Sequence, residues 1–368
     1  MQFDFILKPV GGKCNLGCSY CYYLQRLPDN TVQASWSLDD ARSVINQIAS
    51  LEKARNGKQA RVTWHGGEPL LAGIRWFRRV REFQSESGVK FINSIQTNGT
   101  LIDKRWIEVF KSMNTTVGIS IDGPEFIHNK QRHTKKGRGV LDIVLRSINL
   151  CRENEIRVGV LCVVTDESSQ YTEEIINFFL EHGIKNFDFL PAYNTTFDQR
   201  CLSVSPDNFS GFMKRAFDWY LDYDDPDIKI RTIVTVIERL LGGTGGVCTV
   251  SGKSCGRFLT IEGNGDVSFC DDYNADIFPI LGNIKTITLE EIIAGDMFKQ
   301  SRSIALGRTS DNPNCRNCDV SILCNGGCQR NWIGETNYFC NYYKDFYQYV
   351  YLRLRTELAE NIVESSIQ

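Results

Sequence analysis

The chain has 368 residues, of which 42% are hydrophobic and 23% are charged, and its formal net charge is −2. This length and composition predict a large buried core, and the near-neutral charge argues against a nucleic-acid-binding surface. The longest apolar run, Val158–Val164, is too short for a membrane span, and fourteen cysteines without an export signal favour metal binding in the cytoplasm over disulfide bonds.

The first predicted strand, Phe3–Lys8, is followed at once by three cysteines with the spacing C-x3-C-x2-C, namely Cys14, Cys18 and Cys21. Three thiolates are one too few for a closed metal site. A [4Fe–4S] cluster on this loop would therefore keep one iron open to a small molecule. A partial zinc knuckle is the alternative interpretation.

Strands and helices alternate in the hydrophobic pattern up to about residue 195. One predicted helix is Leu38–Lys53, where Ser37 and Asp40 form an N-cap signal. The six predicted strands are Phe3–Lys8, Ala60–His65, Lys90–Gln96, Thr115–Ile121, Arg157–Thr165 and Asn186–Pro191. Repeated strand–helix units favour a parallel sheet, and a curved run of six predicts an α/β fold, a partial (β/α)6 TIM-like barrel. Its active site would lie at the carboxyl ends of the strands.

Glycines and polar side chains follow three of these strands. The second strand leads into the glycine pair and carboxylate of Gly66–Glu68, a group that could approach a ligand closely and bind an ammonium group. Asn98 follows the third strand, Ser120 lies at the end of the fourth, and Asp122 comes directly after it. Asn-Gly and Asp-Gly sequences also form ordinary turns, so each of these signals is weak by itself.

Cysteine is concentrated again after the glycine-rich stretch 242–246. The eight cysteines there are Cys248, Cys255, Cys270, Cys315, Cys318, Cys324, Cys328 and Cys340. They are enough for two fully ligated four-iron clusters, with two zinc sites as the alternative. A hairpin predicted between Thr260 and Phe269 would bring Cys255 and Cys270 together. Cys151, Cys162 and Cys201 have no partner at ligand spacing and are interpreted as core or incidental thiols.

Taken together, these motifs resemble those of the radical S-adenosylmethionine (SAM) superfamily with a SPASM extension. The likeness is greatest to the anaerobic sulfatase-maturating enzymes. It rests on Cys14–Tyr23, Gly66–Gly73, Ser94–Ile102, Val117–Pro124, Gly246–Thr249, Phe269–Asp271 and Tyr338–Lys344. The predicted domains are a radical SAM partial barrel at 1–235, a SPASM domain with two auxiliary clusters at 236–345, and a C-terminal helix at 346–368.

The resemblance implies SAM and three [4Fe–4S] clusters as cofactors. Cys14, Cys18 and Cys21 would hold the SAM-binding cluster. One auxiliary cluster would be held by Cys248, Cys255, Cys270 and Cys328, and the other by Cys315, Cys318, Cys324 and Cys340. By the same resemblance, SAM would be contacted through its amino group, ribose and carboxylate by Gly66, Gly67, Glu68, Asn98, Ser120, Asp122 and Arg132.

The implied activity is oxidation of a cysteine or serine side chain of an unfolded sulfatase to Cα-formylglycine through a 5′-deoxyadenosyl radical. A flavodoxin- or ferredoxin-type protein would supply the electron. Asp271 takes the position of the family's base, with Asp272 as the alternative. Tyr23 and His65 fall where the family lines its substrate pocket, although some members carry glutamine in place of His65.

Three alternatives remain open at this stage. A related maturase could form a thioether or carbon–carbon crosslink in a ribosomally made precursor peptide, although the early position of Cys14 argues against that group. The others are a non-enzymatic electron carrier and a zinc-stabilised scaffold. Segment Ala192–Pro206 and a helix at Asp207–Asp222 are expected to shape the substrate cleft, and a helix at Tyr342–Glu357 is expected to pack on the SPASM domain.

Overall fold

The structure, a computed structural model, describes residues 2–21, 23, 34–193, 203–244, 246–252, 254–271 and 279–367. The described residues form two compact units. The first contains residues up to 162 together with 255–304, and the second contains 163–193, 203–254 and 305–367. None of the described helices is long and apolar enough to cross a bilayer.

Parallel strands form the centre of the first unit. They are β1 (Asp4–Leu7), β2 (Gln59–Trp64), β3 (Lys90–Thr97), β4 (Thr116–Ser120) and β5 (Val158–Val164), whose last two residues are counted with the second unit. Each pairs in parallel with the next, and the register places Leu7 opposite Trp64 and Trp64 opposite Ile95. The predicted strands are confirmed with ends that differ by one residue at most. The parallel order brings the carboxyl ends of β1 to β4 to one edge, as the predicted barrel requires.

The helices of this unit follow the strands in the expected alternation. Leu38–Ala54 begins at the predicted N-cap, where the Ser37 side chain accepts from the Asp40 backbone and completes a capping box. The other helices of this part are Ile74–Glu86, Lys104–Ser112, Glu125–Gln131 and Leu141–Glu153, with a 3₁₀ turn at Pro69–Ala72. In the core beside these helices, Phe77 packs edge to face against both Trp64 and Trp106.

A distant segment extends the same sheet. Strand β8 (Phe258–Ile261) lies parallel to β1 on the side away from β2, and β9 (Asp266–Phe269) returns antiparallel to β8. The predicted hairpin is thus confirmed. Strand β10 (Gly282–Asn283) follows, with helices Leu289–Ala294 and Asp296–Asp311 after it. The sequence assigned this hairpin to the SPASM domain, and the domain boundaries themselves stay a prediction.

The second unit combines helices with a cysteine-rich part. Strands β6 (Asn186–Pro191) and β7 (Lys229–Ile230) pair in parallel, and β11 (Trp332–Ile333) forms a hairpin with β12 (Thr336–Asn337). The longer helices are Thr172–Glu181, Pro206–Tyr223, Arg231–Leu240 and Cys340–Ile367; Pro313–Arg316 and Ser321–Cys324 are short. Three 3₁₀ turns lie at Ser168–Gln170, Cys248–Val250 and Gln329–Asn331.

The terminal helix is longer than the predicted 342–357. It packs along Pro206–Tyr223, where Phe209 lies 4.8 Å from Tyr342 between ring centroids and the Ser210 hydroxyl donates to Asp345. The helix predicted at 207–222 is therefore present. Most of the segment predicted to shape the cleft, residues 194–202, lies outside the described residues.

Candidate active site

The three-cysteine loop is held by backbone pairing with the segment 131–134. The Gly17 N–H donates to the His133 carbonyl at 2.9 Å, and the Ser19 N–H donates to the Gln131 carbonyl at 2.9 Å. A bridge between Leu16 and Thr134 continues this pairing. Main-chain bonds therefore fix the loop on one side.

The glycine pair after β2 holds the other side of this loop. The Gly67 N–H donates to the Gly11 carbonyl and the Glu68 N–H to the Lys13 carbonyl, both at 2.8 Å. A Cβ atom at Gly67 would collide with the carbonyls of Gly12 and Lys13, and Gly66 has a φ of +112°. The close backbone approach that these glycines allow is made by residues 11–13 of the same chain. Their contact with SAM stays a prediction.

Glu68 is fully buried and its carboxylate joins the ends of two strands. One oxygen accepts from the Leu70 N–H at 3.0 Å and from the Thr97 hydroxyl at 2.8 Å, and the other accepts from the Asn98 N–H at 2.8 Å. Burial raises the pKa of Glu68 to about 7, against the opposing effect of these donors. Leu70, Thr97 and Asn98 of the protein itself thus donate to this carboxylate. Binding of an ammonium group by Glu68 stays a prediction.

Asn98 contacts the cysteine loop directly. Its amide nitrogen donates to Asn15 Oδ1 at 2.9 Å and approaches Cys14 Sγ at 3.7 Å, while its oxygen accepts from the Thr100 N–H at 2.9 Å. At the next strand end, Ser120 accepts from the Gln96 amide at 3.1 Å. Asn98 can therefore orient a cluster ligand as well as meet a bound molecule, and its predicted contact with SAM remains open.

A buried ion pair lies behind the cysteine loop. Asp122 is fully buried, and one of its oxygens accepts from the Tyr20 hydroxyl at 2.7 Å and from Arg132 Nε at 2.9 Å. Its backbone N–H donates to His128 Nδ1, and burial lowers the pKa of His128 to about 4, so this imidazole is neutral. Burial raises the pKa of Cys18 to about 11, an effect that the Arg132 charge opposes. Neither Tyr20 nor His128 was predicted from the sequence.

A second polar cluster surrounds Asp271. Lys8 is 2% exposed, and its Nζ lies 3.0 Å from Asp271 Oδ1, 2.8 Å from Glu262 Oε1 and 5.0 Å from the centre of the Tyr23 ring. His65 Nδ1 is 3.6 Å from the same Asp271 oxygen. Burial lowers the pKa of His65, with Asp271 opposing the shift. A neutral imidazole is therefore favoured near pH 7.

The structure thus brings together Asp271, Tyr23 and His65, three residues that were predicted from distant parts of the sequence. Lys8 and Glu262 were missed, because a lysine that ends an apolar strand and an acidic turn residue are ordinary features by themselves. The alternative base, Asp272, lies outside the described residues.

The cysteines predicted for one auxiliary cluster belong to different segments. Cys255 and Cys270 flank the β8–β9 hairpin, and the Cys270 N–H donates to the Phe258 carbonyl at 3.1 Å. In the second unit, Cys248 begins a 3₁₀ turn and Cys328 precedes another. This ligand set stays a prediction.

The other four predicted ligands line one cavity in the second unit. Cys315, Cys318, Cys324 and Cys340 all contribute to its wall. Burial raises the pKa of Cys324 to about 11, and the neighbouring thiols add to the shift. The donor set therefore fits a fully ligated [4Fe–4S] cluster. Among the described residues, no group of three or more His, Cys, Asp or Glu is arranged around a single metal ion.

Local hydrogen bonds fix the segments that carry these thiols. Asn312 caps the short helix that contains Cys315, accepting from the Asn314 N–H at 2.8 Å, and its amide donates to the Glu335 carbonyl. Cys340 begins the terminal helix. The cavity is thus built by turns and helix ends.

Comparisons with known proteins agree with this geometry. The model of the radical SAM superfamily matches residues 9–179, and the model of an iron–sulfur cluster-binding domain, SPASM, matches residues 254–319. With the parallel strands and the open three-cysteine loop, these matches define the class of the protein. It is a radical SAM enzyme with a partial TIM-like core and a SPASM domain.

Full-length relatives narrow the class to one family. A cysteine-type anaerobic sulfatase-maturating enzyme from Clostridium perfringens is 31% identical, with 98% of this chain and 99% of that protein covered. A serine-type enzyme from Bacteroides thetaiotaomicron is also 31% identical, with 94% and 88% covered. The chain belongs to the anaerobic sulfatase-maturating enzymes. Its cofactors are SAM and iron–sulfur clusters, auxiliary clusters included.

Solved structures support the same placement. The structure described as native anSMEcpe with bound AdoMet and Cp18Cys peptide has a TM-score of 0.86 and 28% identity, with 98% of this chain and 100% of that chain covered. SuiB from Streptococcus suis, solved with its precursor peptide SuiA, has a TM-score of 0.62 at 18% identity over 90% of this chain and 73% of that chain, and shares the fold alone.

Proposed function

We propose that this enzyme oxidises one cysteine or serine of an unfolded sulfatase, or of a peptide with the same motif, to Cα-formylglycine. The observation that carries the proposal is the cluster of Asp271, Tyr23 and His65 in the same unit as the three-cysteine loop. A half-buried carboxylate beside an imidazole, in a cluster that also contains the Tyr23 ring, is suited to accept a proton from a bound side chain.

The cysteines have separate roles in this proposal. Cys14, Cys18 and Cys21 would hold the cluster that binds SAM, and the four thiols of the second-unit cavity would hold an auxiliary cluster. When bound, SAM and the clusters supply a 5′-deoxyadenosyl radical and an acceptor for one electron. The protein contributes fixed ligands and a site for proton transfer.

The reaction balances with one base. The substrate Cβ loses one hydrogen atom to the deoxyadenosyl radical, its thiol or hydroxyl loses a proton to Asp271, and one electron leaves to the acceptor. A serine then becomes the aldehyde directly. A cysteine becomes a thioaldehyde, and water replaces the sulfur to give the aldehyde and hydrogen sulfide.

The proposed electron donor and the proposed cellular location both follow from the redox chemistry of this reaction. We propose a flavodoxin- or ferredoxin-type donor, because reductive cleavage of SAM consumes one electron of low potential that no group of the chain supplies. A cytoplasmic location fits a protein whose fourteen cysteines must stay available as metal ligands, since thiols are kept reduced there.

The proposal is tested by anaerobic incubation of the reconstituted enzyme with SAM, dithionite and a peptide containing Cys-x-Pro-x-Arg. The matched peptide carries serine in place of the cysteine. Mass spectrometry should detect conversion of the side chain to an aldehyde, together with 5′-deoxyadenosine. A peptide in which the cysteine is replaced by alanine is the control.

Other outcomes would redirect the proposal. A peptide that loses two hydrogens and keeps its sulfur would indicate crosslinking, and the enzyme would then be a precursor-peptide maturase. Deoxyadenosine formed with no change in either peptide would exclude these motifs as substrates and leave the radical SAM class intact.

The role of Asp271 has its own prediction. Asp271→Asn should still cleave SAM but lose formylglycine by about 100-fold or more, because general bases contribute on that order. Deoxyadenosine and aldehyde are quantified in the same reaction. Wild-type aldehyde yield from this variant would assign the base to another group.

A further inference from the structure

Lys8 is buried at a place where a charge needs compensation. It directly follows β1, its side chain is 2% exposed, and its backbone N–H donates to the Ile261 carbonyl at 3.0 Å. Transfer of an ammonium group from water into a protein is strongly unfavourable unless oxygen atoms surround it. The position of Lys8 therefore depends on the oxygens that it meets.

Two contacts of Lys8 are made with one residue. Its Nζ lies 3.0 Å from the Asp271 carboxylate and donates to the Asp271 backbone carbonyl at 3.0 Å. A third contact, at 2.8 Å, is with Glu262 in the hairpin turn. Because the ammonium contacts both the main chain and the side chain of Asp271, it restricts the backbone position and the rotamer together.

The backbone just before Asp271 is in a strained conformation. Cys270 has a φ of +62°, in the left-handed region that residues with a Cβ atom rarely adopt. Such a turn persists only where neighbouring contacts hold it. The Cys270 N–H donates to the Phe258 carbonyl, and the bond from Lys8 to the Asp271 carbonyl holds the next peptide unit.

We propose that Lys8 is a positioning residue for the oxidation. It holds the Asp271 carboxylate beside Tyr23 and His65, where the thiol or hydroxyl proton of the substrate is accepted. Lys8 acts through Asp271 and is not itself the base. This inference rests on the proposed function, because it presumes that Asp271 accepts that proton.

The test uses the full-length reconstituted enzyme and three variants. Lys8→Met removes the charge at nearly constant length, Lys8→Arg keeps it, and Glu262→Gln retains an acceptor for Lys8 as the matched control. Lys8→Met should lower kcat for aldehyde about 10- to 100-fold, since a misplaced catalytic group costs rate on that order, with KM for the peptide changed less than about threefold. Lys8→Arg should recover part of kcat.

Two further readouts separate positioning from a general loss of structure. Iron content and SAM cleavage should match the wild type in Lys8→Met, so that more deoxyadenosine forms per aldehyde. In the Asp271→Asn background, Lys8→Met should cause little additional loss, because residues that act as one unit are not additive. An equal loss in Glu262→Gln, or full additivity with Asp271→Asn, would overturn the proposal.

A structural readout does not depend on the substrate. The crystal structure of Lys8→Met should have the Asp271 carboxylate away from its position near His65, whereas Glu262→Gln should leave it in place. An unmoved Asp271 in Lys8→Met would overturn the positioning role. By contrast, wild-type enzyme that forms no aldehyde from either sulfatase peptide would overturn the proposed function, whatever the position of Asp271.

Discussion

The three-cysteine loop of the first unit and the four-cysteine cavity of the second are built in opposite ways. The loop is short, and it is held by backbone bonds to segment 131–134 and by the buried network of Asp122, Arg132 and Tyr20, while Gly67 and Glu68 fix residues 11–13 just before it. The cavity is made by helix ends and turns that enclose its four thiols. With the predicted [4Fe–4S] clusters bound, the first arrangement would leave one iron open and the second would supply a ligand to every iron.

The difference shows how one chain separates two tasks. In the proposed function the loop would present one open iron to SAM, and its backbone supports come from segments outside the loop. In the same proposal, enclosure of the four thiols in the cavity would tune the potential of an electron-accepting cluster without admitting a further ligand.

The largest effect is expected from removing the ligands of the three-cysteine loop. The combined variant Cys14→Ala, Cys18→Ala and Cys21→Ala should abolish SAM cleavage and keep about two-thirds of the iron, given separate cluster sites. Deoxyadenosine formation and iron content are the measurements. Cleavage that persists in this variant would contradict the assignment of the loop.

The next variant removes ligands from the four-cysteine cavity and leaves the three-cysteine loop intact. Cys318→Ala combined with Cys324→Ala should lower iron by about one-third and aldehyde yield by about tenfold or more, because the oxidation needs an electron acceptor. Cleavage of SAM in the first turnover should remain, since the loop keeps its ligands. If both activities disappear while the protein stays folded, the two sites do not act separately.

The support of the loop can be tested at one glycine. Gly67→Ala would press a methyl group against the carbonyls of Gly12 and Lys13, and we expect a loss of about 1–3 kcal/mol in the free energy of unfolding, with reduced SAM-cluster iron. The control is Gly17→Ala in the loop itself, where a Cβ would be 3.5 Å from its nearest neighbour, Lys135 Cα. Chemical denaturation and iron analysis compare the two; equal effects would remove the special role of Gly67.

The smallest effect concerns pH. Burial lowers the pKa of His128 from 6.5 to about 4, so the unfolded chain binds more protons than the folded one in this range. Stability is therefore lost as the pH falls below 6.5, by about 2 kcal/mol between about pH 7 and pH 5. His128→Asn, which can still accept the Asp122 N–H, should show less of this loss. Chemical denaturation of the wild type and of His128→Asn at the two pH values gives their free energies of unfolding. An equal loss of stability in both proteins would contradict the role of His128.

The Glu68 carboxylate illustrates where prediction from sequence stopped. The motif Gly66–Glu68 was located correctly at the carboxyl end of β2, because strand periodicity and turn residues are local properties. Its contacts were not predictable, since Thr97 and Asn98 are about 30 residues away in the chain and reach Glu68 only when β2 and β3 pair in register. The same reason explains why the Asp122 partners Tyr20 and His128 were missed.

The sequence by itself determined the six strands, the hairpin, the cysteine spacing and the family to which these motifs belong, because each of these is recorded in short-range pattern. The tertiary structure decided that the glycine pair abuts the backbone before Cys14 and that Lys8 contacts Asp271, 263 residues away. The first contact depends on the parallel pairing of β1 with β2 and the second on the pairing of β1 with β8, and only the folded sheet establishes both pairings.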